Sequence, residues 1–453
     1  MTTLGSEQRP LRVAIVGSGP SGLYAAEALL RGPQKVTVDI FERLPAPFGL
    51  VRYGVAPDHA KIKNVIKVYE KTMEKSNVSF IGNVTVGRDV SVNELKKYYD
   101  AILFTCGAET DRKLDIPGID LAGSYTATEF VAWYNGRPEY RDRKFDLSGE
   151  IAIIVGQGNV AVDVCRILCK TAEELKATDI AKHALDALAK SHIKEVHMIG
   201  RRGPAQAAFT PVEIREFGEL GHCDAVIDPK DLELNEASQK ELADPKNAPK
   251  KKNYEILKEF AQHGERGRGK KFVIHFLESP VELKGAGKIE KLVLEKNVLS
   301  GEANDQKATG TGEKVEMKCN IFFRSVGYSG VPIVDVPFDE KKAVFPNQLG
   351  RITGASGLYC AGWIKRGPSG VIGTNKPDSE ETVANILADI GKLTPCASPD
   401  TNALLNELKK KGLRTVSFTD WKKIDAAEIA NGKRNGKTRE KFVKVEDMLA
   451  VLR

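Results

Sequence analysis

The chain has 453 residues, of which 41% are hydrophobic and 28% charged, with 68 Lys and Arg against 61 Asp and Glu. This is enough for two or three domains of ordinary size, and the composition excludes a low-complexity or disordered chain. No apolar run is long enough to span a bilayer, so no transmembrane segment is expected. Met1–Pro10 has neither the apolar core of a secretion signal nor the arginine-rich character of a transit peptide, so the expected compartment is the cytoplasm.

The stretch Leu11–Val16 is short, β-branched and closed by glycine, which predicts a buried strand. It is followed by Gly17-Ser-Gly19-Pro20-Ser21-Gly22, an alanine-rich helical run over 23–30, and a second strand over 35–41 with Glu42 at its end. That order is the dinucleotide fingerprint in its required context. Gly17 lets the chain turn, Gly19 lets a pyrophosphate approach the backbone, and Gly22 lets the helix lie on the strand. Glu42 stands where a carboxylate accepts ribose hydroxyls.

Residues 43–59 are too rich in proline and glycine for a regular element, yet too apolar for disorder, so an ordered loop over a cofactor is expected. A helix is expected over 61–75, a strand and turn over 78–86, and a buried strand over 99–107. Residues 115–119 read as a crossover.

A second fingerprint then begins with the strand Ile151–Val155, followed by Gly156-Gln157-Gly158-Asn159-Val160-Ala161 and a helix over 162–170. Its second strand, 195–200, is delayed by a charged helical insertion over 171–191. It ends on Arg201-Arg202 rather than on an acid. Guanidinium groups bind a 2′-phosphate bidentately where a carboxylate would repel it, so this site is expected to take NADP(H) in preference to NAD(H).

Strands of a small sheet are expected over 271–276 and 289–294, and buried strands over 319–327 and 357–363. The glycine-rich run 367–375 leads into a helix over 378–390. A basic tail with helices near 401–411, 426–430 and 445–452 is expected to pack peripherally as a solvated cap.

The seven cysteines include no Cys-x-x-Cys pair, which argues against a disulfide framework, a zinc site or an intrinsic iron–sulfur site; no metal ligand set is expected. Between Lys246 and Lys271 nine basic residues face three acids, so most of the net charge of +7 falls in one stretch. No reading helix or aromatic platform accompanies it, so nucleic acid is not the expected partner.

These motifs, together with Pro47–His59, Gly200–Gly203 and Ala361–Asn375, make the chain resemble the adrenodoxin reductase family of ferredoxin– and flavodoxin–NADP+ reductases, from about residue 11 to 391 and weakly through the tail. The resemblance implies an α/β fold with two Rossmann-like domains. The FAD domain would be discontinuous, at 1–110 and 330–453, with the NADP domain inserted at 111–329.

The FAD residues implied are Gly17, Gly19, Pro20, Ser21, Gly22, Glu42, Leu50, Val86, Trp363, Gly370, Val371 and Ile372. Ser21 stands where many members have alanine. The NADP(H) residues implied are Gln157, Gly158, Asn159, Val160, Arg201, Arg202, Glu213 and Gly370.

The reaction expected is hydride transfer from nicotinamide to flavin N5, then single electrons out to a carrier. His59 and Asp163 stand where a proton relay is possible, with loop ordering and a satisfied helix acid as the alternatives. Trp363 either regulates nicotinamide approach or packs on the cofactor. Lacking a redox-active cysteine pair, the chain must pass electrons to an external acceptor. An acidic ferredoxin or flavodoxin is expected to dock on Lys250, Lys251, Lys252, Arg266 and Arg268, with Lys270 and Lys271 beside them and Arg215 at a family docking position. A flavin monooxygenase and a non-catalytic nucleotide-binding redox sensor remain the competing readings.

Overall fold

Every residue of the run Leu11–Val16 is buried, because neighbouring strands flank it and helices cover both faces of its sheet. In the computed structural model, which describes residues 3–453, this strand lies near the centre of a seven-stranded sheet. Five parallel strands run in the order Leu358–Cys360, Ala101–Phe104, Leu11–Val16, Val36–Glu42 and Val78–Gly82. Asn347–Gln348 and Arg351–Ile352 add an antiparallel edge. The chain divides into two compact units, Met1–Thr110 with Gly327–Arg453, and Asp111–Val326. Its return to the first unit thus falls at Gly327, where residue 330 was expected.

The second unit is built on a six-stranded parallel sheet in the order Ser124–Thr126, Ile321–Arg324, Ile151–Val155, Glu195–Ile199, Lys270–His275 and Cys223–Ile227. Lys270–His275 was expected in a small sheet and instead takes a place inside this one, with Phe272 and Ile274 fully buried. The small sheet is antiparallel and consists of Glu278–Lys284, Lys291–Ser300 and Lys307–Lys318. Among the described residues no helix is long and apolar enough to cross a membrane.

Two local expectations change, for residues 43–59 and for the tail, and one further helix appears. Residues 43–59 hold a short helix, Gly49–Tyr53, entered through Phe48 at φ 81°. The basic run around Lys250 lies on a sixteen-residue helix, Ala248–His263, whose Asn253, Ile256, Leu257 and Phe260 are buried at helical spacing.

The tail is not a solvated cap. Its helices Thr401–Lys410, Phe418–Arg434 and Val445–Ala450 place Leu404, Leu408, Trp421, Ile424 and Met448 in the core of the first unit, and the link before the second of them adds Val416. Trp421 is 1% exposed, with its ring centroid 6.0 Å from that of Phe48. Trp421→Ala should therefore destabilise the protein by about 3–5 kcal/mol, the usual cost of emptying such a site, read as a lowered urea midpoint. A shift no larger than that of an exposed substitution would restore the peripheral reading.

Candidate functional site

In the first unit the turn after Leu11–Val16 is built as its sequence requires. Gly17 has φ 110°, and a Cβ there would stand 2.7 Å from the Thr105 carbonyl oxygen. A Cβ on Gly22 would meet the Gly17 carbonyl oxygen at 2.2 Å, so the helix Pro20–Leu29 can sit this close only with glycine. At Gly19 the nearest atom to such a Cβ is 4.0 Å away, which leaves the backbone approachable. No side chain caps this helix, and its first N–H groups are available to an anion.

Glu42 ends the neighbouring strand. Its carboxylate accepts from the Ser18 hydroxyl at 2.6 Å, the Ser18 N–H at 3.3 Å and the Leu44 N–H at 3.2 Å. The acid is thereby fixed at the rim of the turn while staying partly exposed. These features fit a dinucleotide carrying an adenosine ribose.

The remaining first-unit residues fall into two groups. Val86 is buried in a core cluster with Phe41 and Val84. Leu50 lies in the helix Gly49–Tyr53, and His59 immediately precedes the helix Ala60–Lys63. Trp363 donates its indole N–H to the Ser369 carbonyl at 3.2 Å and packs against Tyr328, with ring centroids 5.3 Å apart. Gly370 and Val371 are exposed on the loop that this bond tethers, and Ile372 is partly covered. Ser21, at the position where many members have alanine, donates its hydroxyl to Asn375 Oδ1 at 3.0 Å, and the Ser379 hydroxyl donates to the Ser21 carbonyl at 2.9 Å. The fingerprint helix is thus pinned to the uncapped start of the helix Asn375–Ala388.

The second unit repeats the turn. Gly156 has φ 127°, and a Cβ there would lie 2.1 Å from the Ser325 carbonyl oxygen. Gly158 opens the helix Asn159–Cys169, and a Cβ there would meet nothing within 4 Å. Asn159 Oδ1 accepts the Thr210 N–H at 2.8 Å, and Gln157 donates to the His275 carbonyl at 3.0 Å, so both side chains fix the loops around the turn. Val160 lies beside them in the first turn of that helix.

Arg201 is exposed and Arg202 partly so. Their backbone is held independently of their guanidiniums: Asn297 donates to the Arg201 carbonyl at 2.9 Å and the Leu277 N–H to the Arg202 carbonyl at 3.1 Å. Next to this turn, burial and then the His197 ring push His275 down to about 4. Burial and then Asp231 raise Glu278 to about 7. His275 is therefore neutral at neutral pH and Glu278 only partly charged. That limits the negative charge beside the arginine turn.

Asp163 and Glu213 converge on a residue that motif reading passed over. Arg166, fully buried, reaches Asp163 at 2.7 Å, Glu213 at 3.4 Å and Glu216 at 3.2 Å. The Asp163–Arg166 spacing of three on a helix was visible in the sequence. The two acids on a later helix, Pro211–Glu219, were not traceable to it.

The expected docking set divides. Lys250 pairs with the buried Glu241, and Lys270 donates to the Leu168 carbonyl at 2.7 Å, closing the end of the fingerprint helix. The Arg266 and Arg268 N–H groups both bond Asp224, and the Arg268 guanidinium donates to the Leu220 carbonyl at 2.7 Å. Lys252 pairs with Glu255 and Lys271 with Glu265. Arg215 and Lys251 are exposed. The charged groups of Lys250, Arg268 and Lys270 thus hold the fold while the Arg266 side chain stays exposed, and the basic surface is narrower than composition alone implies.

Six of the seven thiols are buried, and burial pushes Cys106, the partly covered one, up to about 12. None is poised as a nucleophile.

Two dinucleotide turns, each following a strand with parallel neighbours, one closed by a carboxylate and the other by two arginines, define a two-nucleotide oxidoreductase. The model of the pyridine nucleotide-disulphide oxidoreductase family matches residues 11–203. The chain is 44% identical over 461 residues to mitochondrial NADPH:adrenodoxin oxidoreductase of Salvelinus fontinalis, covering 98% of this chain and 91% of that protein. It is 43% identical over 455 residues to NADPH-ferredoxin reductase FprA of Mycobacterium tuberculosis, covering 98% and 99%. The structure of Mycobacterium tuberculosis FprA in complex with NADPH superimposes with a TM-score of 0.93 at 42% identity, over 98% of this chain and 99% of that one. The chain belongs to the family of NADPH:adrenodoxin oxidoreductases and NADPH-ferredoxin reductases.

Proposed function

We propose that this protein is a ferredoxin–NADP+ reductase of the adrenodoxin reductase type, passing electrons from NADPH by way of FAD to a one-electron carrier protein, a ferredoxin or flavodoxin. The single observation that carries the reading is the opposite ending of the two fingerprints, Glu42 in one unit and Arg201-Arg202 in the other. Its relatives over nearly the full length are NADPH-ferredoxin and NADPH:adrenodoxin reductases.

In this reading Gly17, Gly19, Pro20, Ser21 and Gly22 receive the FAD pyrophosphate and Glu42 its ribose. Leu50, Val86, Trp363 and Gly370–Ile372 enclose the remainder. When bound, FAD accepts a hydride at N5 and releases single electrons. Gln157, Gly158, Asn159 and Val160 receive the NADP pyrophosphate, Arg201 and Arg202 its 2′-phosphate, and Glu213 completes that site. Trp363, held by Ser369, regulates access of the nicotinamide. His59 and Asp163 are assigned the proton relay, with the Arg166 guanidinium 2.7 Å from the Asp163 carboxylate to hold it in place. A reducing compartment, the cytoplasm, suits the buried thiols.

Anaerobic addition of NADPH should bleach the flavin band, and a panel of ferredoxins and flavodoxins should then reoxidise it. No bleaching would overturn the reading. Carrier docking is assigned to outward cations, Arg215 and Lys251 foremost. Carrier turnover should therefore fall as salt rises, and Arg215→Glu with Lys251→Glu should raise the KM for the carrier but not for NADPH. Turnover flat in salt would remove the electrostatic docking.

A further inference from the structure

The helix Gly49–Tyr53 touches the first fingerprint at one end and the C-terminal tail at the other. At its start the Phe48 N–H donates to the Ser18 carbonyl at 3.1 Å, and a Cβ on Gly49 would stand 3.0 Å from the Gly19 Cα. The helix therefore begins directly on the turn. Near its end, within one helical turn, Arg52 is 4% exposed and its guanidinium meets Glu428 Oε1 at 2.6 Å. The same guanidinium lies 4.9 Å from the Trp421 ring and 5.0 Å from the Tyr53 ring. The Lys441 ammonium donates to the Arg52 carbonyl at 3.2 Å.

Glu428 is itself fixed on every side. It is fully buried, its Oε1 also accepts the Phe442 N–H at 2.9 Å, and its Oε2 accepts from Arg439 at 3.1 Å. The Glu440 N–H donates to the Glu428 carbonyl at 3.0 Å. The carboxylate thus gathers the helix Phe418–Arg434 and residues 439–442, and presents one oxygen to Arg52.

A buried ion pair is poor value for stability alone, since apolar residues of similar volume often do as well, whereas such a pair can set register. A one-turn helix with a locked arginine at one end and the fingerprint backbone at the other has little freedom to slide.

We propose that Glu428 is a positioning residue for the flavin site: through Arg52 it sets the register of the Gly49–Tyr53 helix on the Gly17–Gly22 turn, which makes the C-terminal tail part of the FAD site. The inference rests on the assignment of that turn to FAD.

The test uses the full-length protein, stripped of flavin and titrated with FAD, reading flavin fluorescence and the thermal midpoints of the apo and holo forms. Glu428→Gln should weaken FAD binding by about tenfold or more and shrink the midpoint rise that FAD produces, while NADPH affinity is unchanged. Glu428→Asp should recover part of the loss. The apolar pair Arg52→Met with Glu428→Leu should regain part of the apo midpoint lost in Glu428→Gln, the Phe442 N–H staying unpaired, but no FAD affinity.

Equal falls in the apo and holo midpoints with unchanged FAD affinity in Glu428→Gln would overturn the proposal, as would full recovery of FAD affinity in the apolar pair. Should Glu428→Gln fail to fold, Arg52→Lys carries the same readouts. It keeps the charge and loses the fork geometry. A wild-type protein that takes up no FAD would instead overturn the functional reading on which this one stands.

Discussion

Replacing Arg201 and Arg202 together with alanine is expected to lower kcat/KM for NADPH by roughly a hundred- to ten-thousandfold and to leave kcat/KM for NADH almost unchanged. Each charged hydrogen bond to a phosphate is worth ~1.5–3 kcal/mol, and two are removed. NADH has no 2′-phosphate to lose. The structure makes the experiment clean, because the turn is held by Asn297 and by the Leu277 N–H acting on backbone carbonyls. Beyond that, the Arg202 guanidinium makes one long bond to the Gln206 carbonyl, at 3.4 Å. The fold should therefore survive, with a thermal midpoint close to wild type. Steady-state kinetics with both nucleotides decide the matter. Equal losses for the two would make the arginines structural.

The second large effect separates two glycines that a sequence motif treats alike. Gly156→Ala should prevent the second unit from folding, since it demands a left-handed backbone from an L-residue and drives a methyl to 2.1 Å from the Ser325 carbonyl oxygen. Gly158→Ala should fold as well as wild type, because its φ is −98° and the added methyl meets nothing within 4 Å. It should nevertheless raise the KM for NADPH by roughly a hundredfold, because the methyl occupies the approach to the helix N-terminus where the pyrophosphate is to sit. The comparison needs thermal midpoints and KM values for both variants. A Gly158→Ala protein with wild-type KM would mean that the phosphates lie elsewhere.

Both fingerprints were legible because their chemistry is local. Positive φ, close helix–strand packing and the residue closing the second strand lie within some thirty to fifty residues of one another. The helix Ala248–His263 shows how a legible signal can be masked. Asn253, Ile256, Leu257 and Phe260 keep helical spacing, but three consecutive lysines dominate any reading by charge. The same lysines illustrate why net charge does not define a surface. Glu241, which neutralises Lys250, lies on another helix, and Asp224, which holds the Arg266–Arg268 loop, lies on a strand.

The tail was misjudged for a related reason. Trp421, Ile424 and Glu428 share a helix face at spacings of three and four, yet the surrounding lysines and acids lower the mean hydropathy of the segment. The strand Lys270–His275 was recognised as a strand and given to the wrong sheet, because strand order depends on partners far along the chain.

What the sequence determined by itself was the pair of glycine turns and the charge that closes each, since backbone sterics and the residue at a strand end act between near neighbours. Only the tertiary structure decided which cations face outward and which acids surround Arg166. It also decided that Glu428 meets Arg52 from 376 residues away. Such pairings follow from burial, where a charge removed from water must find a partner wherever the fold delivers one, and no local pattern encodes that choice.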